Sequence, residues 1–273
     1  MNHSFLRIPL AMIPRHAVLP VLSGCNRGFK WIAGSHTHGC WISWYEPDVQ
    51  DALHRLIKPG MTVWDLGANA GFYTLAFARM VGARGRVIAF EPSAKNAHHL
   101  LTHVRINRCD NVVVHQSAVT ATCGFASFAI HDGSEAMSHV SSSPTGYVVA
   151  TVAIDQIVSR HPEWWPDVLK IDVEGAEEGV LSGGLSLLAS PRPPTIVVSL
   201  HGLSQAQRCL EILQEHAYEV TTLGGGGITS AEEALAHDTV IACPQVRPAA
   251  LPVPVGAAVE SDALNQLPEE HPG

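Results

Sequence analysis

A chain of 273 residues that is 46% hydrophobic and only 15% charged has ample material for a core, which excludes disordered and collagen-like classes. Its net charge of −8 and its 17 scattered lysines and arginines form no basic stripe, so no nucleic-acid partner is expected. The six cysteines (Cys25, Cys40, Cys109, Cys123, Cys209, Cys243) make no CxxC pair and no finger-like spacing with histidine, which points to reduced thiols in a cytoplasmic protein.

Residues 1–45 read as an irregular, aromatic N-terminal extension containing Trp31, Trp41, Trp44 and Tyr45. Within it "LSGC" (22–25) resembles a lipoprotein cleavage site, but Pro9, Pro14, Arg15, His16 and Pro20 interrupt the apolar stretch before it. That suits neither an export signal nor a spanning helix, and no later segment is long enough to span a membrane. The histidines of "HTH" (36–38) and "HH" (98–99) have no further obvious ligands beside them and read as solvated or core-edge groups.

One main domain is expected over residues 46–245. "EPDVQDALHRLIKPG" (46–60) predicts a helix that ends at Pro59 and Gly60. The apolar runs at 62–68, 86–92, 111–119, 168–175 and 195–202 then read as buried strands. Helical stretches at 71–82, 93–108, 176–189 and 204–216 supply the crossovers that parallel strands require. "YEVTTL" (218–223) and "DTVIACP" (238–244) bring the strand count to seven. Such alternation means a doubly wound, mostly parallel α/β sheet of Rossmann-like type. Two strands around a Ser- and Gly-rich loop are expected in an insertion at 120–154, and a disordered Pro- and Ala-rich tail at 246–273.

The first strand runs into "DLGANAGFYT" (65–74), which puts Gly67 and Gly71 in a tight turn before a helix N-terminus. Glu91 closes the second strand, where an acidic side chain can accept hydrogen bonds from both hydroxyls of a ribose. The G-x-x-x-G spacing differs from the dinucleotide pattern, and Asp65 would repel a pyrophosphate but attract the ammonium of a methionine moiety. S-adenosylmethionine therefore fits better than NAD. An NAD-dependent oxidoreductase and a non-catalytic protein that keeps a cofactor fold are the alternatives.

In "DVLKIDVEGAE" (167–177), Lys170, Asp172 and Glu174 recur at every second position, which on a strand puts them on one face. Charges buried there are costly unless paired or employed. Asp172 is the first candidate to orient or deprotonate an acceptor hydroxyl, Glu174 the second, and His201, on the neighbouring strand's mouth, the third. Lys170 offsets the carboxylates. A purely structural ion pair is the alternative, and no metal is expected, because the Lys170 ammonium would compete for the same carboxylates.

Taken together, "VWDLGANAGFYTLAFA", "VIAFEPSAKNAHHLLTHVRIN", "SAV" and "LKIDVEGAE", preceded by "WIAGSHTHGCWISWYEP", resemble the FkbM-type methyltransferases, a class I S-adenosylmethionine-dependent family. The resemblance runs from about residue 31 and fades after 202. It implies cofactor roles for Asp65, Gly67, Asn69, Gly71 and Glu91, with Ser117 and Ala118 near the adenine. It also implies O-methylation of a hydroxyl on a sugar, glycolipid or secondary metabolite. One departure is "VVSLHG" (197–202), where Ser199 and His201 stand and an acidic residue is expected.

Overall fold

The computed structural model describes residues 12–42, 45–131, 134–141 and 147–245. Trp44 and the tail expected at 246–273 lie outside the described residues. The chain opens with an antiparallel hairpin of β1 (Val18–Pro20) and β2 (Lys30–Ile32), then α1 (Gly39–Ile42) and α2 (Pro47–Leu56). Pro47 opens α2 because its fixed φ suits the first helical turn, where its missing N–H costs nothing.

There follow β3 (Thr62–Leu66), α3 (Phe72–Val81), β4 (Arg86–Phe90), α4 (Ala94–Ile106) and β5 (Val112–His115). The insertion holds β6 (Ala118–Val119), β7 (Gly124–His131), β8 (Ser134–Ser141) and β9 (Tyr147–Val152). After α5 (Ile154–Arg160) come β10 (Val168–Ile171), α6 (Glu177–Ser182), α7 (Leu185–Leu188) and β11 (Thr195–Ser199). The last described elements are α8 (Leu203–Glu215), β12 (Tyr218–Thr222), α9 (Ala231–Ala236) and β13 (Thr239–Pro244).

Seven strands form the central sheet in the order β12-β13-β11-β10-β3-β4-β5, parallel except for β13, which runs against both of its neighbours. Strand alternation splits the core into two apolar layers. Trp64, Leu66, Ile88, Phe90, Leu169 and Ile171 pack on one face. Val63, Val87, Val168 and Val197 pack on the other, with Leu53 of α2, Leu75 and Phe77 of α3, and Trp31 of the hairpin. In this parity Asp65 and Lys170, register partners on adjacent strands, belong to the second face.

Three expectations are corrected. The run at 111–119 is two strands, because Ser117 N–H turns back onto the His115 carbonyl and β6 leaves the main sheet to pair with β9. The insertion carries three strands rather than two, and with β6 they make a second sheet in the order β6-β9-β7-β8. The helix expected at 176–189 breaks at Gly183 and Gly184, since a side chain at Gly183 would overlap the Thr120 carbonyl. No helix among the described residues is long and apolar enough to cross a membrane, and all six cysteines are free thiols.

Candidate active site

The turn between β3 and α3 is built from backbone that side chains resist. Gly67 has φ 81° and lies so close to the loop after β10 that a Cβ there would overlap the Asp172 carbonyl. Asn69 is also left-handed (φ 49°), and its Oδ1 accepts the Ala70 N–H at 2.7 Å, the local bond that lets asparagine hold this conformation. Glu91, one residue past β4, accepts the Asn69 N–H at 2.7 Å and the Ser93 N–H at 2.8 Å. It thereby joins the glycine turn to the start of α4. Burial pushes the Glu91 carboxyl up to about 7, although these backbone donors favour its ionised form.

The turn is braced from the other side by His103 of α4. Its Nδ1–H donates to the Ala70 carbonyl at 2.7 Å, its Nε2 accepts the Ile32 N–H at 3.0 Å, and its ring stacks on Trp31 with centroids 4.0 Å apart. Those two partners fix a neutral tautomer, and burial pulls the imidazole down to about 4.

A cavity of about 280 Å³ opens at the carboxyl ends of β3, β4 and β10. Gly67, Asn69, Glu91, Ser117 and Ala118 line it, as do Lys170, Asp172 and Glu174. Phe128 of the inserted sheet and Trp31, His36, Cys40 and Tyr45 of the N-terminal segment complete its walls. Gly71 instead caps α3 (φ 94°) and serves the turn's geometry. Asp65 is also off the wall. It is wholly buried, with Oδ2 accepting from Thr74 Oγ1 at 2.6 Å and Oδ1 facing Lys170 Nζ at 3.8 Å.

Lys170 Nζ is 3.0 Å from Asp172 Oδ2 and lies 4.8 Å above the Tyr73 ring. Burial works against its charge, but Asp172 and Asp65 outweigh burial and hold the ammonium above its ordinary range. Burial likewise opposes Asp172 ionisation, and Lys170 reverses the sign, lowering that carboxyl. Glu174 does not share this pair. β10 ends at Ile171, so the alternation expected over three charges holds for only one of them, and Glu174 sits beyond the strand in a left-handed conformation (φ 53°).

Glu174 Oε2 faces His201 Nε2 at 3.6 Å, and Asp172 Oδ1 faces the same nitrogen at 3.8 Å. Partial burial raises the Glu174 carboxyl. His201 is itself held by Glu177, a wholly buried carboxylate at the start of α6. Glu177 Oε1 accepts from His201 Nδ1 at 2.8 Å and from the Gly175 N–H at 2.9 Å. That hydrogen bond lifts the imidazole to about 9.

Residues 65–220 match the methyltransferase FkbM domain. The chain belongs to this family and is a methyltransferase. Among relatives of this FkbM-family chain, the hexuronic acid methyltransferase AglP of Haloferax volcanii is 25% identical over 169 residues, covering 61% of this chain and 68% of AglP. Of solved structures, methyltransferase FkbM from Methylobacillus flagellatus KT is 18% identical with a TM-score of 0.47. That alignment covers 69% of this chain and 48% of the other, so the chain spans about half of that protein's length. An O-methyltransferase from Thermotoga maritima is 17% identical with a TM-score of 0.39, over 64% of this chain and 52% of that one.

His36, read from the sequence as a solvated or core-edge histidine, instead lines the cavity, and Glu177, Phe128 and His103 carry no signal of their own in the sequence. Glu177 reads as an ordinary first-turn helix acid, and its partner His201 lies 24 residues further on. Only the adjacency of β10 and β11 brings them together.

Proposed function

We propose that this chain transfers the methyl group of S-adenosylmethionine to a hydroxyl of a sugar, glycolipid or secondary metabolite. One observation carries the reading: a single cavity joins the Glu91 carboxylate at the end of β4 to the Lys170–Asp172–Glu174 charges at the end of β10. The residues present suit that cofactor. Glu91 is buried without a cationic partner among the described residues and raised in pKa, a state that hydrogen bonds from two ribose hydroxyls would relieve. Beside it Phe90, Pro92, Ala118 and Val119 offer apolar surface for an adenine. The bound cofactor supplies a methyl group on a positively charged sulfur.

NAD fits less well. Gly67 is needed for the close crossing of the Asp172 carbonyl, a role unrelated to admitting a pyrophosphate. The Asp65 carboxylate, expected from sequence to meet the cofactor's ammonium, instead anchors Lys170. Its part in binding is thus indirect.

At the other end of the cavity, Asp172 and Glu174 orient the acceptor hydroxyl and assist the loss of its proton, so that its oxygen attacks the methyl carbon in line. Lys170 keeps Asp172 ionised and fixes its direction. AglP, named for methylating a hexuronic acid, supports a sugar-type acceptor. Thermal unfolding tests the cofactor: S-adenosylmethionine and S-adenosylhomocysteine raise the melting temperature and NAD does not. No shift with the first two refutes the proposal. Labelled S-adenosylmethionine with a cell extract then identifies the methylated product.

A further inference from the structure

We infer that Asp172, Glu174 and His201 form a binding site for a first-row divalent cation at the cavity's edge, an inference that rests on the methyl-transfer reading and extends it. The ligating atoms of these three side chains lie within 4.8 Å of one another, one nitrogen and two carboxylate oxygens drawn from two neighbouring strand ends. A mixed set of this kind, with imidazole and carboxylates on one side and open positions on the other, suits Mn²⁺, Fe²⁺, Co²⁺ or Zn²⁺.

The support behind His201 points the same way. His201 gives its Nδ1–H to Glu177, which leaves Nε2 turned toward Asp172 Oδ1 and Glu174 Oε2. A carboxylate behind the imidazole is the arrangement that orients metal-ligating histidines and raises their donor strength. Glu177 is wholly buried, and its Oε2 has no hydrogen-bond partner among the described residues, so this side chain stands fixed directly behind the ring. Metal ligation requires His201 to be neutral, so its Nε2 proton is displaced on binding, and Asp172 and Glu174 then bring two carboxylates to the dication.

Lys170 is a weaker competitor than its place in the sequence suggests. It engages Oδ2 of Asp172 and leaves Oδ1 to the cluster, and it makes no ion pair with Glu174 among the described residues. Asp172 and Glu174 both line the cavity, so the cation's open positions are within reach of an acceptor's oxygens. Its charge would lower the pKa of the acceptor hydroxyl. The hydroxyl proton leaves to water at the partly exposed mouth, the C–O bond forms with an oxygen electron pair, and the C–S bond breaks with its pair passing to sulfur.

The test uses the whole chain, stripped with chelator and titrated calorimetrically with MnCl₂ and CoCl₂, alongside S-adenosylhomocysteine. One Mn²⁺ or Co²⁺ per chain is expected, with imidazole nitrogen coupling in the pulsed EPR spectrum of the Mn²⁺ form. Glu174→Gln and His201→Gln should each weaken the cation at least tenfold and change S-adenosylhomocysteine affinity by less than threefold. Both side chains are about a third exposed, so the fold tolerates either change, and melting curves verify it. No binding by the wild type, no nitrogen coupling, or wild-type affinity in either variant overturns the site. Failure of S-adenosylhomocysteine to bind the same samples refutes the methyl-transfer reading instead.

Discussion

Asp172 and Lys170 answer the loss of their charge in different ways, and the difference separates catalysis from scaffolding. Asp172→Asn keeps shape but gives up charge, and turnover should fall about 10²-fold while S-adenosylhomocysteine affinity stays within a few-fold. Lys170→Met instead strands two carboxylates, Asp65 wholly buried and Asp172 mostly so, and should cost about 3 kcal/mol of stability in a denaturant titration. Adding Asp65→Asn to Lys170→Met should recover much of that loss. If Lys170→Met melts like the wild type, the buried charge pairing is not holding the sheet's centre.

Glu91 makes a pH-dependent prediction. Its carboxyl moves from an ordinary 4.5 to about 7 on folding, so the folded chain holds this proton more tightly than the unfolded chain. The stability it contributes is full below about 4.5 and is lost as pH rises through about 7, an effect of about 3 kcal/mol. Unliganded protein should therefore lose melting temperature over that window, and Glu91→Gln should flatten the slope. S-adenosylhomocysteine should flatten it too, because ribose hydroxyls stabilise the ionised form.

At the level of elements, the sequence disclosed what depends on periodicity and hid what depends on crossing. Val63, Val87, Val168 and Val197 sit in runs whose apolar character demanded buried parallel strands, and all four lie in the sheet's core. The break at Gly183 is different in kind. It answers to the Thr120 carbonyl more than sixty residues earlier, which no local pattern encodes. Glu174 failed the alternation rule for a related reason, since β10 stops at Ile171 and the loop that follows is shaped by Gly67 in the turn after β3.

The hairpin, too, is held by a distant residue. His103→Ala would orphan the Ile32 N–H and the Ala70 carbonyl, at about 1–3 kcal/mol each. Hydrogen exchange at the Ile32 amide should accelerate, and a protease should cut near residues 22–28 faster than in the wild type. Because the imidazole falls from 6.5 to about 4 on folding, its contribution is present above about 6.5 and is lost as pH drops through about 4. Unchanged exchange at Ile32 would mean the bridge carries no load.

For the molecule as a whole, the stretch that matches the family is smaller than the unit that folds. Among the described strands β12 pairs only with β13, and β13 spans residues 239–244, outside the matched 65–220. Cut at those limits, β12 would lose its whole ladder and the second core layer would lose Trp31 and Leu53. A fragment 65–220 should be unfolded by circular dichroism where residues 12–245 give a cooperative transition.

The single imidazole shared by β2 and the glycine turn also bears on how such enzymes diversify. The N-terminal segment lends Trp31, His36 and Cys40 to the cavity, so exchanging it between relatives is an obvious route to new acceptors. Yet its anchor, His103, lies on α4, and Asn107 at the end of α4 clasps both the N–H and the carbonyl of Lys30. Recombination that splits the segment from α4 breaks both attachments in one step. The inheritable module is therefore the run from Val18 through Asn107, and crossovers placed outside it are the ones that should yield folded hybrids.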